Sequence, residues 1–132
     1  MSRANVTPMT SVRLFFALGS VLAGLAVAVG AFGAHGLRNA LSAADLSTFE
    51  VGVRYQMYHA LGLLAVAWAA ARWESFLIGV AGWFFVAGIV LFSGSIYLLV
   101  LTGPRWLAAI TPLGGVALLI GWVLLAWTAV QG

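Results

Sequence analysis

The strongest constraint in this sequence is a run of thirty residues, Ser75–Pro104, that contains no charged side chain. A second charge-free run, Leu14–Ala34, has 21 residues. An apolar helix of about 20 residues crosses the roughly 30 Å hydrocarbon core of a bilayer. Charged residues make up only 7% of the chain, whereas soluble domains carry about 25%. The chain is therefore predicted to be an integral membrane protein.

The apolar runs divide the chain into four spans joined by short connections. Residues 1–12 are predicted to form a polar, mobile tail, and residues 13–131 a single membrane domain. The predicted spans cover about residues 14–34, 54–71, 76–101 and 107–130. The fold class is thus an all-α integral membrane protein, a four-transmembrane-helix bundle. Because the number of spans is even, both termini are expected on one side of the membrane.

The second helix is predicted to begin before its membrane span. Ser42 and Asp45 have the spacing of a capping box, and no proline follows until after Ala71. Thirty residues of helix would reach about 45 Å, which exceeds the bilayer core. Asp45–Val53 is therefore predicted as an interfacial extension that lies on the membrane or over the bundle, with Gly52 as its bend.

Single arginines end the apolar runs. Arg54 is left out of the count because it lies inside the second span. Three of the other arginines lie on the same side as the termini, namely Arg3, Arg13 and Arg72, and two lie on the opposite side, namely Arg38 and Arg105. The positive-inside rule then favours cytoplasmic termini. A nucleic-acid site needs clustered basic residues, so no nucleic acid is expected as a partner.

Polar side chains from all four helices fall in the membrane half away from the termini, and we call them the polar layer. At 1.5 Å per residue, His59 lies about 20 Å and Arg54 about 27 Å from the end of the second span. Residue counting along the other three helices places their polar side chains at similar depths. The candidate residues for binding a ligand or partner are His35, Arg54, Tyr55, Tyr58, His59, Ser93, Ser95, Tyr97 and Thr111.

Each of these residues also has a structural interpretation. A lone histidine in a span, such as His59, most often bonds to a neighbouring helix. Proton transfer, ligand binding or metal ligation are its alternatives. Arg54, about 140° away around the helix, is either an interface anchor or an anion or headgroup site. Ser93 and Ser95 are expected to bond to carbonyls of their own helix.

Glu50 and Arg54 have the i, i+4 spacing of a helical ion pair. No nucleophile, base and acid form a catalytic set in the sequence, and the chain contains no cysteine. We therefore expect neither an enzyme nor a bound cofactor or metal.

Four ordered motifs carry a resemblance to a known family. They are GAFGAHGL at residues 30–37, VRYQMYHA at 53–60, LFSGSIY at 91–97 and ITPLGG at 110–115. In these motifs the chain resembles the YgdD-like small membrane proteins, or domain of unknown function 423, over about residues 12–130. That family is related to the eukaryotic transmembrane protein 256 family. The resemblance implies a four-helix protein of the bacterial inner membrane and carries no activity.

Three functions fit these observations. The leading hypothesis is a non-catalytic binding or accessory module, whose partner is a lipid headgroup, a small ligand or another membrane protein. The second is a small transporter or proton-coupled permease. It would need a homo-oligomer, for which the small residues Ser20, Gly24 and Ala28 offer an interface. The third is a redox or cofactor-binding subunit with His59 and His35 as ligands.

Overall fold

Four α-helices make up nearly all of the protein. The computed structural model describes the backbone of residues 3–131 and the side chains of residues 10–131. The helices are α1 Arg3–His35, α2 Ala43–Arg72, α3 Phe76–Thr102 and α4 Leu107–Gln131. Residues 3–131 contain no strand. The predicted all-α, four-helix architecture is confirmed.

Three of these helices are long and apolar enough to cross a membrane, namely α1 from Thr10, α3 and α4. The fourth, α2, is as long but more polar, because Glu50, Arg54, Gln56 and His59 lie within ten residues of it. It packs between α1 and α3, so part of this polar content faces protein instead of lipid.

The start of α1 differs from the sequence prediction. The helix begins at Arg3, so residues 3–12, predicted as a mobile tail, are helical. Once a helix has nucleated, each further residue adds one backbone hydrogen bond, and the dihedral angles of only that residue are fixed. The helix therefore continues beyond its apolar segment. At its other end α1 includes His35, which the sequence interpretation had assigned to the connection.

Local sequence signals set the other helix ends. The Ser42 hydroxyl accepts a hydrogen bond from the backbone N–H of Asp45 at 3.1 Å, as the capping-box spacing predicts. The Ser75 hydroxyl accepts one from the N–H of Leu77 at 3.3 Å. Gly103 ends α3 with φ of 92°, and its N–H donates to the carbonyl of Leu99 at 2.9 Å. An L side chain would be strained in that left-handed conformation.

Helices that follow one another in the chain pack side by side and antiparallel. The main contacts join α1 to α2, α2 to α3, and α3 to α4. Glycines allow close approach: Gly19 of α1 lies against Ala60 and Leu63 of α2, and Gly33 lies against Phe49. Consequently α2 and α3 are central, and the ends at Arg3 and Gln131 share one side.

The apolar core lies mainly between α2 and α3. Phe85, one of its largest buried side chains, fills the space left by Gly62 of α2 and Gly121 of α4. Phe15 of α1 lies against Gly82 of α3 in the same way. The other core residues are Leu63, Val66, Ala67, Ala69, Ile78, Ile89 and Leu118.

The first turns of α2 belong to the bundle. Phe49 is buried against Gly33 of α1, and its ring lies 5.2 Å from that of Tyr97 in α3. Gly52, predicted as a bend, lies within the continuous helix. Its missing Cβ leaves room for Ile96 and Tyr97. The interfacial extension therefore packs against its neighbours and does not lie flat.

Candidate functional site

Gln56 of α2 connects three helices. Its Nε2 donates a hydrogen bond to the carbonyl oxygen of Leu22 in α1 at 2.9 Å. Its Oε1 accepts one from the hydroxyl of Tyr97 in α3 at 2.6 Å. Only 5% of Gln56 is exposed. An unpaired amide at this depth in lipid would cost several kcal/mol, as an order of magnitude, so these two bonds fix α1 and α3 relative to α2.

His59, one turn further along α2, uses both ring nitrogens. Nε2 lies 2.9 Å from the indole nitrogen of Trp122 in α4, and Nδ1 lies 2.7 Å from the carbonyl oxygen of Tyr55. The indole N–H can only donate, so Nε2 accepts and Nδ1 carries the proton. His59 is thus a neutral Nδ1–H tautomer with no free lone pair on its ring.

Serine and threonine hydroxyl groups connect α3 to both α2 and α4. Ser93 donates to the carbonyl oxygen of Gly52 in α2 at 2.6 Å, so the prediction that it bonds to its own helix is wrong for this residue. The close approach of α2 and α3 at Gly52 gives Ser93 a nearer acceptor. Ser95 bonds to its own helix at Phe92, 3.0 Å away, as predicted, and also to Thr111 of α4 at 2.6 Å.

The buried part of the polar layer is internally satisfied. In the part of the chain that the structure describes, no buried side-chain nitrogen or oxygen lacks a hydrogen-bond partner. The groups that meet this condition include His59, Ser93 and Ser95, while Tyr97 and Thr111 are half-buried and also bonded. Each buried polar atom in this part of the chain therefore already has a partner inside the protein.

The other candidate residues lie on the surface. His35, Arg54, Tyr55 and Tyr58 are exposed. Tyr55 packs its ring on Phe92, 4.8 Å between centroids, while Tyr58 contacts only Tyr55 among ring neighbours. Within the described residues, no hydrogen bond or ring contact joins His35 to the layer.

Glu50 and Arg54 border a groove between α1 and α2. It has a volume of about 190 Å³ and is lined by Gly30, Gly33, Phe49, Glu50, Val53 and Arg54. Both charged side chains are exposed, and among the described residues neither one has an ion-pair partner. The helical ion pair that their spacing allows is therefore not formed. Both charges are available to a molecule in the groove.

A larger cavity lies at the terminal end of the bundle. Its volume is about 670 Å³, and its polar lining comes mainly from the α2–α3 connection, including Arg72 and Glu74. The guanidinium of Arg72 lies 5.2 Å from the ring centroid of Trp68, which is cation–π distance. Arg72 thus has a partner, unlike Arg54.

Sequence reasoning missed two central residues, Gln56 and Trp122. Gly52, Gln56 and His59 have i, i+4, i+7 spacing, which puts them on one face of α2. That spacing could have added Gln56 to the candidates. Trp122 is one of six tryptophans in the chain. Its hydrogen bond depends on how α4 sits beside α2, for which the sequence contains no local signal.

Comparison with known proteins gives the family. The model of a protein family of unknown function, DUF423, matches residues 29–115. The chain is 48% identical over 120 residues to the UPF0382 membrane protein YwdK of Bacillus subtilis, which covers 90% of this chain and 98% of that protein. It is 50% identical over 113 residues to the UPF0382 membrane protein SSP2132 of Staphylococcus saprophyticus, covering 86% of this chain and 93% of that one. No solved structure matches. The chain therefore belongs to the DUF423 family of membrane proteins, whose description assigns no function.

Proposed function

We propose that the protein is a non-catalytic binding or accessory module of the bacterial inner membrane. In this proposal the buried polar layer holds the bundle together, and the outer face of α2 binds the ligand or partner. One observation carries it: among the described residues, the buried polar side chains have hydrogen-bond partners, whereas Glu50 and Arg54 border a groove and have no ion-pair partner.

The division of roles follows from the energetics of helix association in lipid. Between helices surrounded by acyl chains, small residues and interhelical hydrogen bonds replace the hydrophobic effect as the source of affinity. Gln56, His59, Ser93 and Ser95 supply such bonds from α2 and α3. Arg54 supplies none within the described residues, so its charge serves something outside the chain.

The termini are proposed to be cytoplasmic, which puts the groove at the outer side of the membrane. Because the chain has no cysteine, single cysteines report the orientation directly. In intact cells, an impermeant maleimide is expected to label Asn39→Cys, in the α1–α2 connection, and to leave Gln131→Cys unlabelled. The reverse pattern would invert the orientation and leave the binding proposal unchanged.

Native mass spectrometry of protein extracted gently from its own membrane tests the binding role. The wild-type chain is expected to carry a discrete additional mass, and Arg54→Gln is expected to lose it. Arg38→Gln removes an equivalent charge on the same side, outside the groove, and is the matched control. A wild-type protein that is detected only as the bare chain, and that also binds no lipid added to it, contradicts the proposal.

A second candidate function, a small oligomeric transporter, is favoured by one surface. Ser20, Gly24 and Ala28 lie in line on α1 and are exposed, and a Cβ added at Gly24 would meet nothing within 4 Å. Small-residue lines of this kind support close helix pairing in lipid. Under this alternative, Gly24→Cys forms a disulfide dimer in oxidised membranes, while Leu25→Cys, about 100° around the helix, does not. Monomers for both variants count against it.

The proposal includes no cofactor. A metal or haem on His59 would need one ring nitrogen with a free lone pair. Trp122 and Tyr55 already engage both nitrogens.

A further inference from the structure

Four residues form a line on the outer face of α2, and their chemistry changes along it. Glu50, Arg54, Tyr58 and Leu61 lie within about 80° of one another around the helix. All four are exposed, Tyr58 by 54% and Leu61 by 52%. From the membrane surface inward the order is an anion, a cation, a phenol and an aliphatic side chain. We call this line the α2 stripe.

We infer that the α2 stripe and the adjoining groove bind phosphatidylethanolamine, an inference that rests on the proposed binding function. The headgroup of this lipid carries an ammonium group joined to a phosphate by a short ethylene link. Below the phosphate lie the glycerol esters and then the acyl chains. The order of groups in the lipid, from the surface inward, is complementary to the order of residues in the stripe.

The two charges supply the selectivity. Arg54 lies 18 residues from Arg72, the terminal-side end of α2, or about 27 Å at 1.5 Å per residue. This is just inside the far edge of the roughly 30 Å hydrocarbon core, from which a long arginine side chain reaches the phosphates of that leaflet. Glu50 lies one turn, about 6 Å, further out, where the ammonium group is expected. Guanidinium binds phosphate, and carboxylate accepts hydrogen bonds from a primary ammonium group.

The unpaired state of these charges supports an external ligand. Glu50 and Arg54 have ion-pair spacing and yet form no ion pair in the described part of the chain. Both instead line the 190 Å³ groove, a volume equal to about six water molecules in the liquid. That space suits a headgroup and excludes a whole lipid. The acyl chains then lie outside the groove, along Tyr58 and Leu61.

Other headgroups fit the stripe less well. Phosphatidylglycerol has a phosphate for Arg54 but no cation for Glu50, whose carboxylate would be left beside a net negative lipid. Phosphatidylcholine has a cation but no N–H to donate, since its nitrogen carries only methyl groups. If Arg54 were only an interface anchor, it would need no carboxylate nearby, and the position of Glu50 would not matter.

The test is a titration of delipidated protein in detergent with defined lipids, read by native mass spectrometry. Dioleoyl phosphatidylethanolamine is expected to bind as one molecule per chain, about tenfold tighter than dioleoyl phosphatidylglycerol. Glu50→Gln is expected to abolish this preference, and Arg54→Gln to weaken both lipids. Glu74→Gln and Arg38→Gln, exposed charges outside the groove, are expected to leave the preference intact.

Exchanging the two charges tests whether lipid selectivity depends on their order along the α2 stripe or only on their presence. The double variant Glu50→Arg with Arg54→Glu keeps the composition and reverses the order, and it is expected to lose the preference for phosphatidylethanolamine. Circular dichroism and a monodisperse elution profile check its folding. If it fails to fold, Glu50→Gln, a neutral exchange at an exposed site, still decides the outcome.

The outcomes separate this inference from the proposed function. Equal binding of the two lipids, or a preference that survives Glu50→Gln, overturns the inference. An additional mass in native extracts that is a protein or a different small molecule also overturns it, and leaves the binding function standing. A bare chain in native extracts that also binds no added lipid overturns both.

Discussion

The two halves of the bundle hold their helices together in different ways. From mid-height towards the termini, Phe15 lies against Gly82 and Gly19 against the backbone of Ala60, so close packing joins the helices. Towards the other side, Gln56 and Ser93 connect helices through hydrogen bonds of 2.6–2.9 Å. Close packing on glycine occurs in both halves, as at Gly33 and Gly52, and the polar half adds hydrogen bonds that fix the register of the helices.

The largest expected effect comes from removing close approach in the apolar half. In Gly19→Ala the added Cβ would lie 2.7 Å from the backbone oxygen of Ala60, which cannot rotate away. We expect a loss of about 2–3 kcal/mol in the free energy of unfolding, measured by denaturation with sodium dodecyl sulfate in mixed micelles. Gly24→Ala is the control. Its Cβ meets nothing within 4 Å, and it should gain about 0.5 kcal/mol.

Replacing Gln56, which connects three helices in the polar half, should reduce the free energy of unfolding somewhat less. Gln56→Leu deletes the bonds to Leu22 and Tyr97 and leaves the tyrosine hydroxyl without its acceptor. We expect a loss of about 1.5 kcal/mol in the same unfolding measurement. Combined with Tyr97→Phe, the total should be smaller than the sum of the single changes by about 0.6 kcal/mol. Strict additivity would mean that the two side chains do not interact.

Loss of the α2–α4 bond tests the tautomer of His59. Trp122→Phe removes the donor to Nε2 and keeps an aromatic ring in place. The expected loss in unfolding free energy is about 1 kcal/mol. Nitrogen-15 NMR of labelled histidine should show the Nδ1–H form in the wild type and a mixture of tautomers in the variant. Exchange of Trp127, exposed on the same helix, for Phe is the control and should leave the spectrum unchanged.

The smallest effect is expected at the link between α3 and α4. Ser95→Ala removes the bond to Thr111, but Thr111 retains the carbonyl of Leu107 at 3.5 Å as an acceptor for its own hydrogen. The expected loss is about 0.6 kcal/mol. A loss larger than that of Gln56→Leu would reverse the order of importance within the polar half and make α3–α4 the main register contact.

The sequence predicts much of this arrangement because the relevant signals are local or depth-dependent. The cap at Ser42, the turn at Gly103 and the charge-free run of α3 are each contained within a few neighbouring residues. Depth also follows from residue counting, so the polar layer was predicted from spacing. The start of α1 was not predicted, because the polar composition of residues 3–12 does not show that the helix continues beyond its apolar span.

The partners within the layer required the tertiary structure. Gln56 bonds to a backbone carbonyl of α1, and every residue in α1 has such a carbonyl. The acceptor is therefore determined by the relative height and rotation of two helices. The same applies to Trp122, which only the position of α4 distinguishes from five other tryptophans. Ser93 reaches α2 because Gly52 lets the helices approach.

By itself, the sequence determined that the chain is a helical membrane protein with polar groups at one depth. In lipid, backbone hydrogen bonds must be satisfied within each helix, so hydropathy and length are sufficient for that conclusion. The tertiary structure alone decided which polar groups bond to each other and which charges have no ion-pair partner among the described residues. Lateral packing of helices depends on the shapes of all four at once, and the unpaired charges of Glu50 and Arg54 are visible only after the other polar groups have found their partners.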